Sequence, residues 1–309
     1  MSLSCRAILD PAPASGAWNM AVDEALLESA LARGTCAVRL YRWEEATLSL
    51  GYFQNPGDVA DDSRWTGLPR VRRLSGGGAI LHHHEWTYSC VLPPGHPLAA
   101  VPHLLYERVH HELLAVLARR GVAAALRGDA AAITSVGPIS DPSEKLVCDD
   151  QRPGRSQRPV RFSPDRKPAD PSRVAPPEAF LCFDRGDARD IVRGGRKIVG
   201  SAQRRRRGAV LQHGSILLRR SEFAPEFPGI LDLVPDARID ADFADETIAR
   251  IAHALLPPTD RDPASAADRL AGVRRGELGE EERRRAGELV ESAAIRLVGR
   301  LRGAAKPQA

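Results

Sequence analysis

At 309 residues, 43% of them hydrophobic, the chain can bury the core of one large domain or two smaller ones. A charged fraction of 27% and a net charge of +4 are too ordinary to point to nucleic acid, and no apolar run approaches the roughly 20 residues that span a bilayer. Neither a nucleic-acid partner nor a membrane is expected. The N-terminal stretch MSLSCRAILD has no basic region followed by an apolar one, so a signal peptide is not expected and a cytoplasmic location is. The cysteines Cys5, Cys36, Cys90, Cys148 and Cys182 are odd in number and widely spaced, with no Cys-x-x-Cys. That argues against a disulfide framework and a zinc site and fits a reducing compartment. Among 44 basic residues only Lys145, Lys167, Lys197 and Lys306 are lysines, and Lys197 lies inside a glycine-flanked motif. Lysine is a compact point charge whose protonation can be tuned.

Taken in chain order, WNMAVDEALLESALAR (18–33) carries apolar residues at helical spacing and predicts an amphipathic helix. Two short β-prone runs in 36–53, around Glu44-Glu45, predict a hairpin. VRRLSGGG (71–78) ends a strand in a glycine loop, and 79–92 alternates as a strand with Trp86, Tyr88 and Cys90 on one face. Residues 103–120 predict the clearest helix, stopped by Gly121. The segment 129–177 is rich in Pro, Arg, Asp and Ser and reads as a long flexible insertion. Residues 180–218 predict several strands separated by glycine turns, and 240–256 and 279–303 predict helices. There is no internal repeat and no regular βαβ alternation, so the fold class is α+β. The division expected is a catalytic region over 1–220, carrying the insertion, and a helical extension over 221–309.

Several motifs carry chemical possibilities. In Arg72-Arg73-Leu74-Ser75-Gly76-Gly77-Gly78 the glycines allow close backbone approach to a ligand, and the arginines suit a carboxylate, phosphate or carbonyl oxygen. The plainer alternative is a flexible turn with exposed arginines. His82-His83-His84 would place His82 and His84 on one strand face, but nothing at metal-ligand spacing accompanies them, and no metal site is expected. Gly194-Gly195-Arg196-Lys197-Ile198-Val199-Gly200-Ser201-Ala202-Gln203 could bring backbone near a ligand while Lys197 reaches a carbonyl or phosphate, or could be a hairpin with a solvated Arg-Lys tip. Cys182 sits among apolar neighbours, as an inert buried thiol would. A nearby cation would instead make it a nucleophile, and Lys197 follows at a distance suited to two adjacent strands. The run Arg204–Arg207 reads as a solvated hairpin tip or a dock for acidic partners.

The segments WNMAVDEALL, LSLGYFQN, RRLSGGGAILHHHEWTYS, GRKIVGSAQ and LQHGSILL, in this order, resemble the lipoate-protein ligase A and octanoyltransferase family over most of 15–220. The resemblance implies a biotin/lipoate ligase-like catalytic domain of mixed β-sheets packed by helices. It implies an acyl pocket formed with Arg73, Gly76, Gly77 and His82, and a Lys197 that contacts the acyl carbonyl. The wider substrate-binding set so implied adds Ser75, Gly78, Gly200, Ser201, Ala202 and His213. In one transferase branch a catalytic cysteine precedes the G-R-K motif in a Cys-Phe pair, the position of Cys182-Phe183. Three features differ from that branch. Gly76-Gly77-Gly78 is the ligase spelling, His83 stands where the family usually has Asp, and Arg189-Asp190-Ile191 resembles the Asn-Asp pair of ligases.

The function implied is octanoyl transfer from acyl carrier protein to a lysine of a lipoyl-domain acceptor, such as the glycine-cleavage H protein. It would pass through a Cys182 thioester, aided by Lys197, with no cofactor. The alternative within the superfamily is ATP- and magnesium-dependent lipoate ligation. A third reading, of another class, is a non-catalytic acyl-binding protein.

Overall fold

The computed structural model describes residues 4–54, 63–130, 180–256 and 273–304. From residue 131 onward the Pro- and Arg-rich insertion lies outside the described residues. Helix α1 (Gly16–Arg33) starts where the Ser15 hydroxyl accepts the Trp18 N–H, and stops at Gly34, whose φ of +67° lets its N–H reach the Ala30 carbonyl. Helices α2 (Pro102–Arg119), α3 (Ala241–Ala254) and α4 (Glu280–Ala304) follow. Asp240 caps α3 through the Phe243 N–H. These four helices match the predicted ones to within about two residues at each end.

Among the described residues, eight strands form one mixed sheet: β1 (Cys5–Leu9), β2 (Cys36–Tyr41), β6 (Glu85–Leu92), β7 (Ala125–Leu126), β8 (Ile191–Arg193), β9 (Arg196–Arg206), β10 (Ala209–Leu217) and β11 (Val273–Arg275). Their order is β11-β1-β2-β6-β10-β9-β8-β7, with β1 parallel to both β2 and β11 and the remaining pairs antiparallel. A small second sheet has the order β4-β3-β5, from β3 (Thr47–Leu50), β4 (Arg70–Arg72) and β5 (Ile80–His82).

Alternation along the strands sends Cys36, Val38, Leu40, Tyr88 and Cys90 to one core, where α2 and α3 cover them through Leu105, Val109, Leu113, Phe243 and Ile251. Ile8, Ala37, Val91 and Leu211 face the other way and meet α1 through Val22, Leu26 and Leu27, with Ala286 of α4. Side chains from α3 and strand β11 thus join the same sheet as the residues before 220. Trp86, Tyr88 and Cys90 share the α2–α3 side, as their spacing predicts.

Two strand readings need correction. Residues 36–53 are not a hairpin, because β2 pairs with β1 and β6 in the large sheet, whereas β3 pairs with β4 and β5 in the small one. Residues 79–92 are two strands, with the chain leaving one sheet at β5 and entering the other at β6, bent at His83-His84.

The sheet and α1 are locked by a buried arginine. The Arg39 guanidinium donates to Asp10 (2.6 Å), to the Asn19 side-chain oxygen (2.8 Å), to the Asn19 carbonyl (3.2 Å) and to Asp23 (3.3 Å), and lies 4.0 Å over the Tyr41 ring. Removing one partner of a buried charge pair strands the other. Arg39→Met is therefore expected to lose about 3–5 kcal/mol in urea unfolding, whereas exposed Arg33→Met changes stability by less than about 1 kcal/mol. Equal stability of Arg39→Met and the parent would contradict this account.

Candidate functional site

Cys182 opens a short helical turn (Cys182–Asp184) that docks on the start of β5. The Ala79 N–H donates to the Phe180 carbonyl at 2.9 Å and the Cys182 N–H to the Ala79 carbonyl at 2.7 Å. This approach requires glycine at 78, because a Cβ there would lie 2.8 Å from the Phe180 oxygen and 2.9 Å from the Cys182 nitrogen. Lys197 reaches the turn from the start of β9. Its ammonium lies 3.0 Å from Asp190 Oδ1, 3.3 Å from the Cys182 carbonyl oxygen and 3.9 Å from Cys182 Sγ. The side chains of Lys197 and Asp190 are each 5% exposed, so the expected alternative of a solvated Arg-Lys tip does not hold for Lys197.

Cys182 and Lys197 do come together, but not on adjacent strands as the spacing suggested. One is on a turn and the other on a strand, and the two-residue loop Gly194-Gly195, with φ of +55° and +75°, reverses the chain between β8 and β9. Gly200 leaves room for the lysine, since a Cβ there would lie 2.3 Å from Lys197 Cε.

Asp190 was not assigned a role from sequence. It precedes β8 and is held by its own turn, accepting the Asp187 N–H at 2.8 Å. Burial raises its carboxyl pKa, against the pull of Lys197. An acidic residue just before a strand leading into Gly-Gly-x-Lys was the available signal.

Arg73 is less open than its motif suggested. Its Nε donates to Ser75 Oγ, one terminal nitrogen to the Ser49 carbonyl and hydroxyl, and the other to the Gly76 and Gly78 carbonyls. All five of its N–H donors have protein partners. Arg73 thus holds the glycine loop in shape. Burial pushes its pKa down to about 10, and the negative charge of an ionised Cys182 opposes that shift. Gly77 takes φ +95°, and its carbonyl would stand 2.1 Å from a Cβ on Gly51.

A cavity opens beside Cys182. Of the expected residues, Arg73, His82, Gly200, Ser201, Ala202 and His213 line it, and Ser75, Gly76, Gly77 and Gly78 do not. Met20, Ile80, Phe183, Gly214 and Ser215 complete walls that sequence reading had not assigned. Behind them lie ordered polar contacts. His213 joins Ser75 through Nε2 and Asp23 through Nδ1 (3.3 Å). Despite its burial, Asp23 is held below the usual carboxylate range by His213 and Arg39. Asp23 is a buried charge on the Ala- and Leu-rich α1, a signal that was visible in sequence. His82 stacks on Trp43 at 3.8 Å between ring centres and bonds Glu85 at 2.8 Å through Nδ1, so it does not share a face with His84.

Deeper, Gln203 donates to Gln212 and Gln212 to the Tyr88 hydroxyl; Tyr88 and Ser201 share a hydrogen bond, Ser201 and His110 Nε2 share another, and His110 Nδ1 donates to the Arg189 carbonyl. With His110 neutral, its Nε2 accepts from Ser201 and Ser201 accepts from Tyr88. Burial, seconded by Lys197 and Arg189, pushes the His110 pKa down to about 4. An unfolded histidine titrates near ~6.5, so between that pH and about 4 only the unfolded chain takes up this proton. Stability must fall as pH drops through the window, by up to about 3 kcal/mol from this group. Unfolding midpoints at pH 7 and pH 5 are expected to differ more for the parent than for His110→Gln. Parallel declines would contradict the assignment.

Residues 15–234 match the lipoyl protein ligase A/B catalytic domain family. The octanoyltransferase LipM of Symbiobacterium thermophilum is 37% identical over 223 residues, covering 68% of this chain and 64% of that one. The octanoyltransferase LipM of Staphylococcus aureus is 33% identical over 204 residues, covering 65% and 61%. The matched region thus spans a little under two-thirds of these relatives' length. Among solved structures, a bi-partite lipoate protein ligase from Thermoplasma acidophilum superposes with a TM-score of 0.54 at 17% identity over 94% of this chain and 92% of that one. A lipoate-protein ligase A bound with ATP gives 0.55 at 18% over 94% and 95%. At such identity these two speak for the fold alone, a mixed sheet packed by helices. Because the family match runs from before α1 to beyond β10, through the glycine loop, Cys182 and Lys197, the chain belongs to the lipoyl protein ligase A/B catalytic domain family.

Proposed function

We propose that the chain transfers an octanoyl group from acyl carrier protein to a lysine of a lipoyl-domain protein, through a thioester on Cys182. The observation that carries this reading is a cysteine sulfur 3.9 Å from a buried lysine ammonium at the edge of a cavity with apolar walls. A ligase passing through an acyl-adenylate has no need of such a pair. Positive charge beside sulfur stabilises the thiolate, which is the nucleophile.

The Cys182 thiolate attacks the donor's thioester carbonyl, a new C–S bond forms, and the carrier's thiolate leaves. Lys197, held by Asp190, faces the negative charge on sulfur and the oxyanion of the tetrahedral intermediate. The acceptor's neutral ε-amine then attacks the acyl-enzyme, the Cys182 thiolate departs, and the amine proton is released. Thioester to amide is downhill, so neither ATP nor a metal is needed for transfer. The curated relatives named octanoyltransferases support the reaction class, and the E2 lipoyl domain studied with the Thermoplasma ligase supports a lipoyl domain as acceptor. No helix among the described residues is long and apolar enough to cross a membrane. Glycine-cleavage H protein is one acceptor of this kind, and a cytoplasmic setting suits it.

Cys182→Ser is expected to lower octanoylation of a lipoyl domain by roughly 10³-fold or more without ATP, with the fold retained. Full activity of that variant would overturn the mechanism, and labelling that needs free lipoate or octanoate with ATP and magnesium would make the chain a ligase. An octanoyl group that binds while no lysine is modified would support the acyl-binding reading. Gly200→Ala forces Lys197 aside, and its transfer rate is expected to drop by roughly 10²-fold with the circular-dichroism spectrum unchanged. Undiminished transfer by Gly200→Ala would show that the station of Lys197 is not needed.

A further inference from the structure

Where the chain passes from β5 to β6, His83 and His84 turn away from the cavity that holds His82. Their rings stack, 3.6 Å apart and inclined by 25°. Glu222, in the segment after β10, comes to meet them. Its Oε2 lies 3.5 Å from His83 Nδ1 and 3.9 Å from His84 Nε2, and the three donor atoms all lie within 4.8 Å of one another. Zinc–nitrogen and zinc–oxygen bonds of about 2.0–2.2 Å at tetrahedral angles set donor atoms roughly 3.3–3.6 Å apart, so the two histidine rings would splay from their stack to converge on one ion.

Two imidazole nitrogens and one carboxylate oxygen thus come together as possible donors to one ion. The turn that carries them is anchored, since the Leu218 and Arg219 N–H groups both donate to the His84 carbonyl. Ser221, next to Glu222, bonds His83 Nδ1 at 3.0 Å and would yield that nitrogen to an ion.

We propose that His83, His84 and Glu222 form a binding site for one zinc-class transition-metal ion, with water or an anion completing its coordination. Two imidazoles and a single carboxylate select such an ion over magnesium or calcium, which take oxygen ligands. Arg219 lines the same cleft, adding positive charge, so metal–nitrogen bonding and not bulk electrostatics supplies the affinity. The site lies outside the Cys182–Lys197 pair and does not depend on the proposed transfer reaction. His83 and His84 line one wall of a cleft whose other lining residues include Ser221, the neighbour of Glu222, and Phe183 and Phe227, whose rings are 6.0 Å apart. A bound ion therefore ties the β5–β6 turn to the segment 221–227 and stiffens the cleft next to the Cys182 turn.

The test is isothermal titration of zinc chloride into the full chain stripped with EDTA, repeated with cobalt(II) to read the visible ligand-field bands. The parent is expected to bind one ion per chain. His84→Ala and Glu222→Gln, both at exposed side chains, are expected to bind at least tenfold more weakly with unchanged circular dichroism. Cys182→Ser and His111→Ala are expected to bind as the parent does. Absence of stoichiometric binding, parent-like affinity in both His84→Ala and Glu222→Gln, or loss of the site in Cys182→Ser would each overturn the proposal.

Discussion

A lysine ammonium almost wholly removed from water needs a partner, and the pairing of Lys197 with Asp190 is the constraint around which the site is arranged. Asp190 lies just before β8 and Lys197 at the start of β9, so the pair spans a hairpin closed by Gly194-Gly195. With its charge compensated, the ammonium can stand beside Cys182 in a setting from which a lone lysine would be driven out or deprotonated. Gly200 and Gly78 serve the same end by vacating space, one for the lysine stem and the other for the backbone of the Cys182 turn.

A second layer makes this arrangement rigid. Arg73 spends every N–H donor on the glycine loop and on Ser49, so the loop's carbonyls point at a fixed charge. His213 connects that loop to Asp23, and Asp23 is bonded to Arg39, which ties α1 to β2. From the cavity to the packing of the sheet there is thus a continuous path of satisfied buried polar groups. Such networks specify one arrangement of the core, because any half-broken version leaves a charge unpaired in low dielectric.

The helices were legible because their signals are local. The 3.6-residue period, the Ser15 and Asp240 caps and the glycines at 34 and 121 lie within each segment. Strand partners were not, because a β-prone run does not say which sheet it joins, and the runs flanking Glu44-Glu45 go to different sheets. The site was legible as a set of motifs but not as a geometry. Arg73 looked free because its partners, three backbone carbonyls and the Ser49 and Ser75 hydroxyls, are set by a loop geometry that no composition records. Asp190 passed unassigned because its meaning depends on a fold that brings Lys197 back to it. Glu222 is invisible beside the histidine run because it comes from the far side of β10.

The proposed transfer depends above all on sulfur carrying the acyl group. Intact-mass analysis of the wild-type chain mixed with octanoyl-acyl carrier protein alone, followed by peptide mapping, reads this directly. A gain of one octanoyl group on the peptide containing Cys182, discharged when a lipoyl domain is added, is expected. An unmodified enzyme, or an acyl group on another residue, while the lipoyl domain is nonetheless labelled, would contradict it.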